Sequence, residues 1–288
     1  SAFQKAQELG DESEATTRKG VVGMFASIQF APFFPVTLLS TDNAAYAPPV
    51  DGWLALRTAL QDGVPFAMHR GVISHEFGHR LFFMNAFRSV DGGFEVWRAD
   101  STQTELSEDE LREQMLLKGT DEGLADVFAI AALEDKDAIN RAFDVAGDVF
   151  AAEGPRRDVE GDFAEAATYD NLKDLTLDAS LLQSCGLTGT DFRTSFNFYC
   201  VGTVVAATLW QASDRDAAVL AAEIEPAVLR ALPRIGEQMV NGVAYDVDVF
   251  LEPLASELPP GARREAYCAA VAARFASVVD AGRIPTCF

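Results

Sequence analysis

Residues 72–81, Val-Ile-Ser-His-Glu-Phe-Gly-His-Arg-Leu, are the most informative part of the sequence. It contains the pattern His-Glu-x-x-His, in which His75 and His79 are four residues apart. On an α-helix such residues lie on one face, so both imidazoles can point at one metal ion while Glu76 lies beside them. The apolar neighbours go nearly all round and predict a buried helix over residues 70–87. Two core histidines with a solvated glutamate are the alternative interpretation.

The composition limits the class of protein. A chain of 288 residues with 49% hydrophobic content can bury a large core, in one domain or in two lobes that share a cleft. The net charge of −21 argues against nucleic acid and anionic membranes as partners. No apolar run reaches the roughly 18 residues of a membrane span. The sequence does not indicate an oligomeric state.

The four cysteines, at positions 185, 200, 268 and 287, are not in a C-x-x-C arrangement. Two disulfides are the economical interpretation, and sequence proximity favours Cys185–Cys200 and Cys268–Cys287 among three possible pairings. Buried free thiols in a cytosolic protein are the alternative. If disulfides form, the protein is exported, and we expect an extracellular or periplasmic location with a signal or pro-segment absent from this chain.

A second helical region follows the histidines. Ser107 and Glu110 form a capping-box pattern that predicts a helix ending near Lys118, before Gly119. A new helix is predicted from Thr120, with Glu122 and Asp126 on one face.

Other elements are predicted from residue type and spacing. Strands are expected in 21–30 and 35–41, an edge strand in 43–49, a helix in 53–60, a loop in 88–106 and an irregular connection in 151–192. Helices are expected over 198–211 and 217–232, after Val247, and over 263–279.

These residues suit a catalytic Zn²⁺ site. Such a site needs three protein ligands, which His75, His79 and Glu122 would supply, and an open fourth position. Glu76 would be the general base for a water that zinc activates. Asp126 would accept a hydrogen bond from a ligand imidazole, and His75 is the expected donor. His69 points to another helical face and is not expected to be a ligand.

His75-Glu76-Phe77-Gly78-His79 with Glu122-Gly123-Leu124-Ala125-Asp126 resembles the gluzincin metallopeptidases, the thermolysin and fungalysin group. The resemblance implies that Asn43 and Ala44, on the edge strand, hold substrate backbone. Residues 199–210 resemble the fungalysin helix that carries a catalytic histidine, but Tyr199 stands at that position. A tyrosine hydroxyl can donate to an oxyanion, as in gluzincin aminopeptidases, so Tyr199 is the candidate. A core aromatic is the alternative.

The expected fold is therefore α+β, a thermolysin-like zincin with a small N-terminal β-sheet lobe, a central zinc-binding helix and a mainly helical C-terminal lobe. Residues 1–20 are expected to be an extension or linker, 21–87 the N-terminal lobe, and 88–288 the C-terminal lobe with the third ligand. The expected function is a zinc peptidase acting on proteins or peptides. An endopeptidase is favoured because no clear motif for a free substrate amine is found. A non-catalytic zinc-stabilised binding or structural protein and an aminopeptidase are the alternatives.

Overall fold

The fold is predominantly helical. The computed structural model describes residues 24–26, 44–48, 52–55, 69–102, 106–141, 157–173, 180 and 198–288. Its helices are α1 (Arg70–Phe83), a π-helical turn (Met84–Arg88), α2 (Gly93–Thr102), α3 (Glu108–Leu133), α4 (Asp162–Ala166), α5 (Tyr169–Lys173), α6 (Phe198–Ala212), α7 (Ala217–Val219), a second π-helical turn (Leu220–Ile224), α8 (Glu225–Val240), α9 (Asp248–Glu257), α10 (Ala262–Arg274) and α11 (Ala276–Asp280).

The predicted α+β class, with a β-sheet lobe, is wrong. Helices dominate the described residues. The strands β1 (Met24–Ala26), β2 (Ala44–Ala47) and β3 (Gly52–Ala55) have three or four residues each and pair in the order β1-β3-β2. β-branched and aromatic residues are weak predictors of a sheet, because strand preference depends on context.

The strands contradict the helix predicted in 53–60, and the strand predicted in 35–41 is not tested. β3 pairs parallel with β1 and antiparallel with β2, so Trp53–Ala55 is strand where a helix was predicted. Both edges of β3 are hydrogen-bonded, which outweighs the helical spacing of its apolar residues. Residues 35–41, where another strand was predicted, lie outside the described residues.

Helix α3 packs between α1 and α6, and small residues allow both contacts. A Cβ added to Gly78 of α1 would lie 2.6 Å from the Cα of Ala125 in α3. The backbones of α1 and α3 therefore approach closely at the level of the two histidines. This helix pair forms the floor of the site.

The α3 helix differs from the prediction at its middle. The capping box is confirmed, since Ser107 N donates to Glu110 Oε2 at 2.8 Å and Glu110 N donates to Ser107 Oγ at 3.3 Å. The helix does not end at Gly119, however, and runs on to Leu133. Thr120 is an interior residue whose Oγ1 donates to Leu116 O. One continuous helix, capped by Ser107, therefore carries both Glu122 and Asp126.

Helices are present where they are expected over 198–211, over 217–232, after Val247 and over 263–279, but the second continues through a π-helical turn to Val240 and the last is divided into α10 and α11. The loop expected over 88–106 is wrong in part, since α2 occupies Gly93–Thr102. A disulfide joins Cys268 to Cys287, which confirms that pairing. Cys200 is also disulfide-bonded, and its expected partner Cys185 lies outside the described residues. In the part of the chain that the structure describes, no helix has the length and apolar character needed to cross a membrane.

Candidate metal centre

Three side-chain atoms from α1 and α3 converge at one point. His75 Nε2 lies 3.0 Å from His79 Nε2 and 3.3 Å from Glu122 Oε2, and His79 Nε2 lies 3.7 Å from Glu122 Oε2. Ligand atoms of a tetrahedral zinc site are about 3.3 Å apart when each bond is about 2.0–2.1 Å. The observed distances bracket that value. The three residues can hold a metal ion.

Each imidazole also has a carboxylate at its other nitrogen. His75 Nδ1 lies 2.9 Å from Asp126 Oδ1, as predicted for this pair, and His79 Nδ1 lies 2.9 Å from Asp121 Oδ1. A carboxylate at Nδ1 favours the proton there, which leaves the Nε2 lone pair for a metal. Asp121 was not recognised in the sequence, although it directly precedes Glu122, because it was interpreted as an ordinary acid of a first helical turn.

Burial and charge set the protonation of these residues. Burial alone would lower the pKa of His79, but Asp121 and Glu122 outweigh it and raise the pKa to about 10. Burial, Arg157 and His79 each lower the pKa of His75. Hydrogen bonds to Asp126 and Glu122 outweigh them, so the pKa of His75 is raised as well. Burial opposes ionisation of Glu122, but His79, His75 and Arg157 lower its pKa. Glu122 is therefore charged, and a metal would have to compete with protons for the two imidazoles.

Glu76 lies beside the three ligands without joining them. Its carboxyl group is buried, and Oε2 has no hydrogen-bond partner among the described residues. Burial raises the pKa of Glu76, while His79 and His75 oppose the shift. A buried carboxyl with a raised pKa and an unsatisfied oxygen is suited to proton transfer.

Arg157 is part of the site and had no signal in the sequence. Its Nε and Nη2 atoms donate to Asp126 Oδ2 at 3.0 Å and to Asp126 Oδ1 at 2.6 Å. Nη2 also lies 3.3 Å from Glu122 Oε2 and 3.4 Å from His75 Nε2. The residue lies in 151–192, which was interpreted as an irregular connection. Only the fold brings it, 31 residues after Asp126, to the two helices.

Tyr199 lies next to Arg157 at the start of α6. The guanidinium carbon of Arg157 is 5.0 Å from the centre of the Tyr199 ring. Burial raises the pKa of Tyr199, and Glu122 and Glu76 raise it further, although Arg157 opposes them. The hydroxyl therefore stays protonated and can donate a hydrogen bond near these carboxylates.

The edge strand β2 adjoins Glu76. A backbone hydrogen bond from Tyr46 acts on the Glu76 carboxyl group, so Tyr46 N–H points away from β3 and toward α1. Backbone groups on one edge of a strand recur every second residue, so those of Ala44 lie on the same edge as those of Tyr46. Asn43, the other predicted substrate-binding residue, lies outside the described residues.

The site opens on the side of His79. The His79 and Asp121 side chains are 15% and 25% exposed, whereas those of His75 and Glu122 are 8% and 9% exposed. An outside molecule would approach along the first pair.

No protein-family model matches the chain, and no curated protein or solved structure matches it significantly. A function must therefore be inferred from the geometry of the site.

Proposed function

We propose that the protein is a zinc-dependent peptidase of the gluzincin type, and that it acts as an endopeptidase. One observation carries this proposal: His75 Nε2, His79 Nε2 and Glu122 Oε2 converge within 3.7 Å beside the buried Glu76 carboxyl group. Buried polar atoms are normally hydrogen-bonded, so the Oε2 atom of Glu76, which has no partner among the described residues, needs a reason at such a convergence. Proton transfer during hydrolysis is a sufficient reason.

The donor set fits zinc. Two imidazole nitrogens and one carboxylate oxygen are the ligands of many catalytic zinc sites, in which the fourth position stays open. When bound, Zn²⁺ polarises a carbonyl group and makes water more acidic. Asp121 and Asp126, at the two Nδ1 atoms, would hold the imidazoles with Nε2 toward the metal.

Glu76 is the general base in this proposal. It takes a proton from the water that attacks the peptide carbonyl carbon, and it transfers that proton to the leaving nitrogen when the C–N bond breaks. Its raised pKa brings it closer to working pH, which suits a group that must both accept and release a proton. Tyr199 donates a hydrogen bond to the oxygen on which negative charge develops.

The substrate is a protein or peptide in an extended conformation. The outward backbone groups of Ala44 on β2 would pair with it, since an unpaired strand edge can accept an additional strand. That edge faces Glu76 through Tyr46, which would bring the bound backbone to the general base.

An oxidising compartment is part of the proposal. The disulfide between Cys268 and Cys287 is of the kind that persists outside the cytosol, so we propose an extracellular or periplasmic location.

Glu76→Gln tests the proposed activity. The variant should keep its zinc, measured by elemental analysis, and lose casein cleavage by at least about 100-fold, because the amide cannot accept the proton. Glu95→Gln, at an exposed position of α2, should leave both unchanged. Casein cleavage by Glu76→Gln at the wild-type rate would refute the mechanism.

A zinc-stabilised binding protein without turnover is the second candidate. It is favoured by the guanidinium of Arg157, which contacts two of the three ligand atoms, and by the absence of any histidine after His79. Zinc in the purified protein without cleavage of any member of a peptide library would support this candidate over the peptidase.

A further inference from the structure

Arg157 contacts the same atoms that would bind the metal. Its Nη2 lies 3.3 Å from Glu122 Oε2 and lies against the His75 ring, 3.2 Å from Nδ1 and 3.4 Å from Nε2. Glu122 Oε2 and His75 Nε2 are two of the three atoms that would bind the metal. The side chain is 6% exposed, so water screens its charge little. A cation held by those atoms therefore has a second, permanent cation as its neighbour.

The two cations disfavour each other. The carboxylates of Glu122 and Asp126 attract both the guanidinium and a divalent metal, and like charges at such separations repel strongly in a buried site. An arginine stays protonated at any working pH, so its charge cannot be removed to make way for the metal. The guanidinium of Arg157 and a bound metal therefore compete for the negative charge of the same carboxylates.

Arg157 also competes for Asp126. Oδ1 of Asp126 accepts from Arg157 Nη2 at 2.6 Å and lies 2.9 Å from His75 Nδ1. The guanidinium withdraws electron density from a carboxylate that would otherwise make His75 a more basic ligand. Both effects act on metal affinity in the same direction.

We propose that Arg157 is a positioning residue that holds Glu122, Asp126 and His75 in their binding arrangement and, through its charge, lowers the affinity of the site for zinc. The inference rests on the proposed metal site but not on peptidase turnover. Arg157 thereby limits metal binding and keeps the ligand residues paired in protein that has not bound metal.

Affinity for Zn²⁺ tests the inference, by titration of the purified protein against a chromophoric chelator. Arg157→Gln removes the charge and should bind zinc at least about tenfold more tightly than wild type. Arg157→Lys keeps the charge and should remain close to wild type. Arg141→Gln, which alters an exposed ion pair with Asp135, is the control and should change nothing. An Arg157 that merely orients Asp126 would instead give weaker zinc binding in both Arg157 variants, and that result would overturn the inference.

Thermal unfolding in chelator gives a second measurement. Arg157→Gln removes the permanent cation that pairs with two buried carboxylates, so its melting temperature should fall by about 5 °C or more and recover when zinc is added. An unchanged melting temperature would contradict the holding role. If neither wild type nor Arg157→Gln binds zinc, the metal site and this inference both fail. Zinc binding without peptide cleavage counts against the proposed activity alone.

Discussion

Gly123 packs directly against Gly202, and a Cβ added to Gly123 would lie 2.3 Å from the carbonyl oxygen of Gly202. Gly123 follows the ligand Glu122 in α3, and Gly202 lies in α6 three residues after Tyr199. This contact therefore sets the position of the third ligand relative to the proposed oxyanion donor. It also explains why a glycine occurs within a buried helix, where glycine is otherwise unfavourable.

Gly123→Ala should destabilise the protein and weaken its metal site. The added methyl group must separate α3 from α6, at a cost of about 1–3 kcal/mol, and must displace Glu122. Thermal unfolding and zinc titration measure the two effects. Gly161→Ala is the comparison, because a Cβ there would lie 3.0 Å from Asp158 Cβ, a smaller overlap than the 2.3 Å at Gly123, so its cost should be smaller. Equal stability of Gly123→Ala and wild type would mean that the helices adjust freely.

Asp121→Asn should lower zinc affinity by about tenfold, because a neutral amide orients and polarises His79 less well than a carboxylate. Asp109→Asn, on an exposed turn of the same helix, is the control. Competition with a chelator measures both variants. Unaltered affinity in Asp121→Asn would show that the 2.9 Å contact between Asp121 and His79 has no role in binding.

Tyr199→Phe should reduce kcat by about 100-fold or more and leave KM and zinc content nearly unchanged, because the hydroxyl acts on charge that develops during the reaction. Steady-state kinetics on a fluorogenic peptide separates kcat from KM. A variant with the wild-type kcat would leave Tyr199 with the alternative interpretation, a core aromatic beside Cys200.

The sequence predicted the parts of the site that depend on local spacing. His75, His79 and Asp126 have partners four residues away on their own helices, so helical periodicity alone places them. The extent of α3 was not predictable in this way. Gly119 was interpreted as a helix end, but it is a packing position: a Cβ there would lie 2.7 Å from Val201 of α6.

Arg157 and the sheet show where local patterns fail. Arg157 contacts Asp126 and His75, which lie 31 and 82 positions earlier in the chain. No periodicity encodes such separations. Strand residues in 21–41 were predicted from side-chain type, which does not determine how many strands pair. Tertiary contacts decided both outcomes.

The contributions of Asp246 and Asp248 to the free energy of unfolding should change with pH in opposite directions. Both contact Arg283 Nη1, at 2.8 Å and 3.0 Å. Burial would raise the pKa of Asp246, but Arg283, Val247 N–H and Tyr169 lower it. Its ionised form is therefore stabilised by folding, and this contribution exists above the unfolded pKa of about 3.9 and is lost as pH falls through the lower folded value. Burial raises the pKa of Asp248, so its ionised form is disfavoured by folding.

Asp246→Asn should therefore cost about 1 kcal/mol at pH 7 and progressively less below about pH 4. Asp248→Asn should cost less than Asp246→Asn at pH 7. Urea unfolding at both pH values measures these differences. A cost for Asp246→Asn that does not change with pH would contradict the account of this ion pair.

Anomalous diffraction at the zinc edge, from crystals grown with ZnCl₂, shows whether His75, His79 and Glu122 bind one zinc ion together. We expect a single strong peak within about 2.0–2.2 Å of His75 Nε2, His79 Nε2 and a Glu122 carboxylate oxygen. Crystals of Glu122→Ala should lose most of that peak. A fully occupied zinc at the two histidines in Glu122→Ala, or no peak between α1 and α3 in wild type, would contradict the account.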